Sequence, residues 1–361
     1  MSRFVTLKKT DADFAQYIWG TFSNTETALP IESLNTGTTQ ESITFEIKLV
    51  NEIMKPVDLV LLSRLIKWNY FFLLLIPLFF VGIKNFLSQN ISDPLSFSLA
   101  AVSSLFLFAG LNIRNDVLDH VSGFDRIIKS SGKKPLLLGW ITADSANRIG
   151  WSLCFIALAL AVPVCIHQHE SLSVVGITIG LFLAGNFLDK NNYKFSLFSE
   201  FILFLILGPA LCSGYQVAMG SGVDTEILIF GTVWGVAVLF LLYIVQFANL
   251  FETSQAGIKN TLTKMGFDKS KTFLISWWAF FIGLWTMYHY FYASRFWLGL
   301  GTAILICGSL PTFIQITKTH SPIGSDLIKV RKAGSRAFGL MVTLLVVELI
   351  WNFYHQLKST L

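Results

Sequence analysis

The sequence predicts an all-α, polytopic membrane protein with nine transmembrane helices. Apolar runs of about 18 to 25 residues, the length that crosses a bilayer core as a helix, recur along the chain. Only 14% of its 361 residues are charged and 53% are hydrophobic, with a mean hydropathy of +0.60; soluble domains carry about 25% charged residues. Lys and Arg gather in alternate connections, as they do when every second loop stays in the cytoplasm.

In order, the spans are expected at 68–86, 95–113, 147–166, 171–188, 197–218, 226–248, 272–292, 296–317 and 336–355. Residues 1–60 read as a cytoplasmic N-terminal extension with a Ser/Thr-rich middle, and 61–361 as one nine-helix domain. Within the extension, "FAQYIWGTF" (14–22) suits a short interfacial or packing helix. No leader with an apolar centre is visible at the start. Lys8, Lys48, Arg64 and Lys67 precede the first span, and Lys129, Lys133, Lys264, Lys271, Lys329 and Arg331 mark later connections on the same side. The N-terminus is therefore expected inside and the C-terminus outside, in a membrane of the bacterial cytoplasmic kind. The net charge of +5 is explained by these topology signals and implies no nucleic acid. Cys154, Cys165, Cys212 and Cys307 lie scattered in apolar runs, as packing thiols do.

The second span runs into "LNIRNDVLDHVSGFD" (111–125), where carboxylates crowd the membrane edge. At 100° per residue Asn112, Asn115, Asp116, Asp119 and Gly123 share one face, while Arg114, Val117 and Leu118 point elsewhere. Carboxylates this close repel one another unless a cation joins them. Hard oxygen donors on one face suit Mg²⁺ holding a phosphate-bearing partner. The plainer reading is a solvated acidic helix end, or one paired with Arg126, Lys133 and Lys134. His120, beside this face, reads as structural rather than as a proton acceptor.

"NDVLDHVSGFD" (115–125) resembles the first Asp-rich motif of the UbiA superfamily of intramembrane prenyltransferases, and most of all the branch that prenylates dihydroxynaphthoate in menaquinone synthesis. "KKPLLLGWIT" (133–142) resembles that branch's following loop, and "SEFILFLILGPALCSGYQVAMG" (199–220) its fifth helix, with Glu200, Gly208, Pro209, Gly214 and Tyr215 matching. Gln216 stands where a second Tyr is usual. The resemblance implies nine helices around a central, aspartate-lined cavity open near the cytoplasmic side. It implies an isoprenyl diphosphate held through Mg²⁺ on two Asp-rich motifs, ionisation of the allylic C–O bond, and attack by an aromatic or other small acceptor.

The second motif departs from the family pattern. In "QFANLFETSQAGIKNTLTKMG" (246–266), Asn249 matches and Glu252 replaces the first Asp, but Ala256 stands at the second. On a helix Asn249, Glu252, Thr253 and Ala256 still share a face. The resemblance thus implies Asp116, Asp119 and Glu252 as catalytic metal ligands. It implies substrate contacts from Asn112, Asn115, Asp125 and Arg126, from Lys133 and Lys134, and from Asn249, Lys259 and Tyr215. A related intramembrane terpene cyclase and a non-catalytic relative binding a prenyl lipid or quinone remain open beside the prenyltransferase.

Overall fold

The structure, a computed structural model, describes residues 3–36, 38–88, 93–127, 134–169, 197–255, 260–292 and 295–360. The described chain is mostly helical, but not all of it. β1 (Arg3–Lys8), β2 (Glu26–Leu34) and β3 (Ser42–Leu49) form an antiparallel sheet in the order β1-β3-β2. The all-α expectation is corrected here. Its cause is visible in β3, where Ile43, Phe45 and Ile47 alternate with polar residues and are buried on one face. They pack on Phe14 and Ile18 of α1 (Phe14–Trp19), the short helix expected at "FAQYIWGTF". Gly20 ends that helix in the left-handed region, where glycine carries no Cβ penalty.

The helices that follow are α2 (Asp58–Leu65), α3 (Phe72–Leu87), α4 (Pro94–Ser122), α5 (Phe124–Ile127) and α6 (Ala143–His167). Then come α7 (Leu197–Leu205), a π-helical segment (Ile206–Ala210), α8 (Leu211–Ala218) and α9 (Thr225–Ala248). The chain closes with α10 (Leu250–Gln255), α11 (Thr261–Met265), α12 (Phe267–Tyr292), α13 (Arg295–Lys318) and α14 (Ser325–Thr360).

Among the described residues seven helical stretches are long and apolar enough to cross a membrane: Trp68–Leu87, Pro94–Ser122, Ala143–His167, Ser199–Ala218, Thr225–Ala248, Arg295–Lys318 and Asp326–His355. The chain is an integral membrane protein. At 26 residues α12 is long enough as well, but its Trp, Tyr and His make it less apolar than those seven. The span expected at 171–188 lies outside the described residues.

The chain divides into two compact units. The first comprises residues 1–71, 102–160 and 252–257. Beside the sheet it holds a core of Leu65, Ile113, Val117, Leu136, Ala143 and Ala146. The second comprises 72–101, 161–251 and 258–361. Its most buried helix is α9, which packs against α3, α7, α8, α12 and α14. The approach of α9 to the π-helical segment is backbone on backbone. A Cβ on Gly208 would lie 2.6 Å from the Gly231 carbonyl oxygen, and one on Gly231 would lie 2.7 Å from Pro209 Cα. One on Gly235 would lie 2.9 Å from the Phe204 carbonyl oxygen. Side chains this small are what let membrane helices touch.

Candidate active site

A 29-residue helix such as α4 reaches about 44 Å, whereas the hydrocarbon core is about 30 Å thick. The helix is therefore longer than the apolar layer is thick, and its last, polar turns carry Asp116 and Asp119. Gly123, at φ +90°, turns the chain into α5 and brings Asp125 back toward the same point. The side chains of all three aspartates are at most 6% exposed.

What meets them is a lysine. Lys134 Nζ lies 2.6 Å from Asp125 Oδ1, 3.1 Å from Asp116 Oδ1 and 3.5 Å from Asp119 Oδ2. Lys67 Nζ reaches the same Asp116 oxygen at 2.9 Å. Lys67 itself sits at φ 54°, ψ 54°, a conformation that costs a non-glycine residue on the order of 1 kcal/mol and that gathers at functional sites. Three carboxylates thus face two ammonium groups. Burial lifts the Asp125 carboxyl to about 6, with Asp119 and Asp116 adding to the rise against the pull of Lys134. Burial works against the Lys134 charge, yet Asp116, Asp125 and Asp119 together hold it above its ordinary value.

The remaining predicted residues divide. Asn112 Nδ2 donates to the Ile66 carbonyl at 3.3 Å, tying α4 to the end of α2. Asn115 is half-buried one residue before Asp116. The Arg126 guanidinium lies 2.6 Å from Glu41 Oε1 and donates to the His120 carbonyl at 2.7 Å. Tyr215 is buried in the second unit against Phe97. Asn249 ends α9 with φ −111° and ψ 21°, so the continuous helix that would align it with Glu252 is broken there. Glu252 is half-buried on α10 and Thr253 is buried. Lys133, Ala256 and Lys259 lie outside the described residues.

Two residues outside the predicted set explain local features. Glu200 is buried and accepts hydrogen bonds from Tyr243 Oη at 3.1 Å, from the Thr261 backbone N–H at 3.2 Å and from the Thr261 hydroxyl. It holds the start of α11 to α7 and α9. Gln216, in the place of the usual Tyr, donates to Asp224 Oδ2 at 2.9 Å and accepts from the Asp224 N–H at 3.2 Å. That exchange fixes the N-cap of α9, where Asp224 accepts from the Ile227 N–H. A separate cavity of about 590 Å³ lies in the second unit, lined by Phe80, Lys84, Glu226, Tyr288, Glu348 and His355 among others.

A divalent cation can be tested against the aspartates directly. Among the described residues no group of three His, Cys, Asp or Glu is arranged to hold a metal ion outright. The donor set nonetheless fits Mg²⁺, because its atoms are hard oxygens and a cation, the Lys134 ammonium, already stands among them. Mg²⁺ would compete with that ammonium for Asp116 and Asp119.

The fold has solved relatives. A digeranylgeranylglyceryl phosphate synthase superposes with a TM-score of 0.56 at 18% identity, over 81% of this chain and 98% of its own. A UbiA homolog from Archaeoglobus fulgidus, bound to DMAPP and Mg²⁺, gives 0.55 at 16% identity, over 80% of this chain and 98% of its own. The apo structure of a UbiA homolog from Aeropyrum pernix K1 gives 0.54 at 15% identity, over 78% and 97%. No curated protein matches the chain by sequence. At these identities the structures establish the fold. The model of the UbiA prenyltransferase family, however, matches residues 74–322, well over half of the sequence. With the helical fold and the match agreeing, the chain belongs to the UbiA prenyltransferase family.

Proposed function

We propose that the chain transfers an isoprenyl group from a prenyl diphosphate to an aromatic, quinone-precursor-like acceptor within the membrane. The observation that carries this reading is the Lys134 ammonium ringed by Asp116, Asp119 and Asp125. A site that gathers cations among buried carboxylates is suited to exchange them around an anionic leaving group. Asp116 and Asp119, with Glu252 from the second motif, would hold Mg²⁺. When bound, that ion neutralises charge developing on the departing diphosphate. Lys134 and Lys67 add positive charge at the same place, and Asn115 and Asn249 offer neutral hydrogen bonds. Lys133 and Lys259 are assigned to the diphosphate by their place in the motifs, and Tyr215 to the prenyl or acceptor side.

In this reading α12 and residues 171–188 complete nine spans around a central cavity open near the cytoplasmic side. The N-terminus is cytoplasmic and the C-terminus outside. The binding of DMAPP and Mg²⁺ by the Archaeoglobus fulgidus relative supports the donor class, and the "NDVLDHVSGFD" spacing supports a quinone precursor as acceptor. One observation favours a second reading. Glu252 and Ala256 replace a pair of aspartates, which weakens the second cation position and leaves a terpene cyclase or a non-catalytic lipid binder as the alternative.

The experiment follows diphosphate release by the purified protein in liposomes, with geranyl diphosphate, Mg²⁺ and a dihydroxynaphthoate acceptor, each omitted in turn. Release that needs all three is the expected result. Release without acceptor identifies a cyclase, and the absence of release under every condition overturns catalysis.

A further inference from the structure

The N-terminal sheet lies outside the matched family region of 74–322, yet it touches two of the chain segments that build the aspartate–lysine cluster. The first contact is electrostatic. Glu41, in the connection just before β3, is fully buried and lies 2.6 Å from Arg126 Nη2. The Ser33 hydroxyl donates to it at 3.2 Å, and Lys9 Nζ stands 3.6 Å away. The other arm of Arg126 donates to the His120 carbonyl in the last turn of α4. Arg126 therefore bridges the sheet to the end of α4, one residue from Asp125. The turn is pressed against the same place, since a Cβ on Gly123 would meet Thr36 Cγ2 at 2.6 Å and Glu41 Oε1 at 3.1 Å.

The second contact is steric. Gly139, at φ +67°, leaves room for Leu29 of β2, whose Cδ2 would lie 2.3 Å from an added Cβ; Gly20 abuts Thr142 in the same way, at 2.8 Å. These contacts hold the segment 134–142, which begins with Lys134. Asp125 is thus fixed through Glu41 and Arg126, and Lys134 through Leu29 and Gly20, and their charged atoms meet at 2.6 Å. A buried ion pair adds little net stability. What Glu41 and Arg126 supply here is a defined position.

We propose that the N-terminal sheet is a positioning element for the diphosphate site, and that Glu41 is its positioning residue, acting through Arg126. This rests on the reading of the aspartate cluster as the diphosphate site. Arg126, held by Glu41, sets the turn that carries Asp125 rather than touching substrate.

The test uses the full chain with Glu41→Gln and Glu41→Asp. Partners that orient a metal or anion site are worth about 10- to 100-fold. Glu41→Gln is expected to raise the KM for geranyl diphosphate by about tenfold or more, leaving kcat and the acceptor KM near wild type. Glu41→Asp is expected to recover part of that loss. Amide hydrogen exchange, read without substrate, should rise in Glu41→Gln across 119–127 and 134–142 and stay unchanged in α9. Unchanged exchange in those two segments overturns the proposal, as does a KM within about twofold of wild type. A fall in apparent kcat with both KM values unchanged indicates loss of folded enzyme and also overturns it. If the wild type itself turns over no geranyl diphosphate, the enzymatic reading has failed, and the exchange measurement alone decides whether the sheet positions the cluster. Should Glu41→Gln not fold, Glu41→Asp carries the same predictions, and wild-type KM and exchange in it overturn them.

Discussion

Two clusters in this protein each set lysine against carboxylates, and they are built in opposite ways. In the first unit Lys134 and Lys67 face Asp116, Asp119 and Asp125. In the second, Lys84 Nζ lies 2.7 Å from Asp224 Oδ2 and 2.8 Å from Glu226 Oε2. The Lys84 cluster grows from regular helix. Asp224 caps α9, Glu226 lies in its first turn, and Gln216 holds Asp224 at two atoms. The Lys134 cluster draws on a left-handed Lys67, a positive-φ turn at Gly123 and a loop outside any helix.

The electrostatics follow the construction. Burial works against the Asp224 charge, but hydrogen bonds from Lys84, the Ile227 N–H and Gln216 prevail and hold its carboxyl below the ordinary value. At Asp125 burial prevails, and the carboxyl rises to about 6. A cluster whose carboxylate is also held by a helix N–H and a neighbouring amide is structural. One in which three buried carboxylates gather around a shared ammonium is suited to another cation.

The largest expected effect that separates them is on turnover. Asp116→Asn or Asp119→Asn should lower kcat by at least about 100-fold, the scale for removing one group that stabilises developing charge. The protein should still elute as a folded monodisperse species. Asp224→Asn should cost thermal stability but leave kcat within a few-fold. Activity near wild type in either Asp116→Asn or Asp119→Asn would remove the distinction.

Cation exchange sharpens it next. Lys134→Met removes the ammonium that the three buried carboxylates share, although Lys67 still faces Asp116, a loss of about 3 kcal/mol. Added Mg²⁺ should restore much of the melting temperature. Lys84→Met is expected to cost on the order of 1 kcal/mol, because Asp224 keeps its cap and its half-exposed side chain keeps water. Mg²⁺ should not restore that loss. Equal Mg²⁺ rescue of both variants would show that the two clusters do not differ as argued.

The second motif gives a smaller effect. Glu252→Gln should raise the Mg²⁺ concentration needed for half-maximal activity by about tenfold, whereas Ala256→Asp should leave it unchanged or lower it. A Glu252→Gln enzyme with an unaltered Mg²⁺ profile would mean that α10 holds no cation.

The smallest effect is spectroscopic. A carboxyl whose folded value is raised is favoured by folding in its protonated form, so Asp125 adds stability below its ordinary value of 3.8 and loses it as pH rises through about 6. Asp224, held low, has the opposite sign: its contribution is present above 3.8 and is lost only as pH falls below that. Infrared difference spectra should show a protonated-carboxyl band that disappears as pH rises through about 6 and is absent from Asp125→Asn. A band that persists in that variant would assign the titration elsewhere.

Much of the helical framework was legible because hydropathy over some 20 residues depends on local composition alone. Asp116 and Asp119 were legible for the same kind of reason, since helix periodicity places them on one face. The sheet was missed although "SITFEIKL" alternates cleanly, because its polar and Ser/Thr-rich surroundings read as a cytoplasmic extension. Glu41 could not be found at all. Its partner is 85 positions away, and nothing in its own neighbourhood marks a carboxylate that becomes fully buried. The break at Asn249 is likewise a matter of packing, since "QFANLFE" contains neither Pro nor Gly. Gln216 read as a missing Tyr, and only its exchange with Asp224 explains it.

The glycine contact between the π-helical segment and α9 restricts how this sequence can drift. Gly208 and Gly231 face backbone atoms, and Gly235 the Phe204 ring and carbonyl oxygen, that leave no room for a methyl group, so even alanine, elsewhere the mildest replacement, forces two helices apart. At Gly208 and Gly231 no neighbour can shrink to compensate, because backbone has nothing to give up. Replacement at any of the three is blocked unless the backbones separate, a change that must be accommodated along α9 as a whole. Random mutagenesis scored by folded yield should therefore recover glycine alone at these three positions, whereas the lipid-facing apolar residues around them exchange freely.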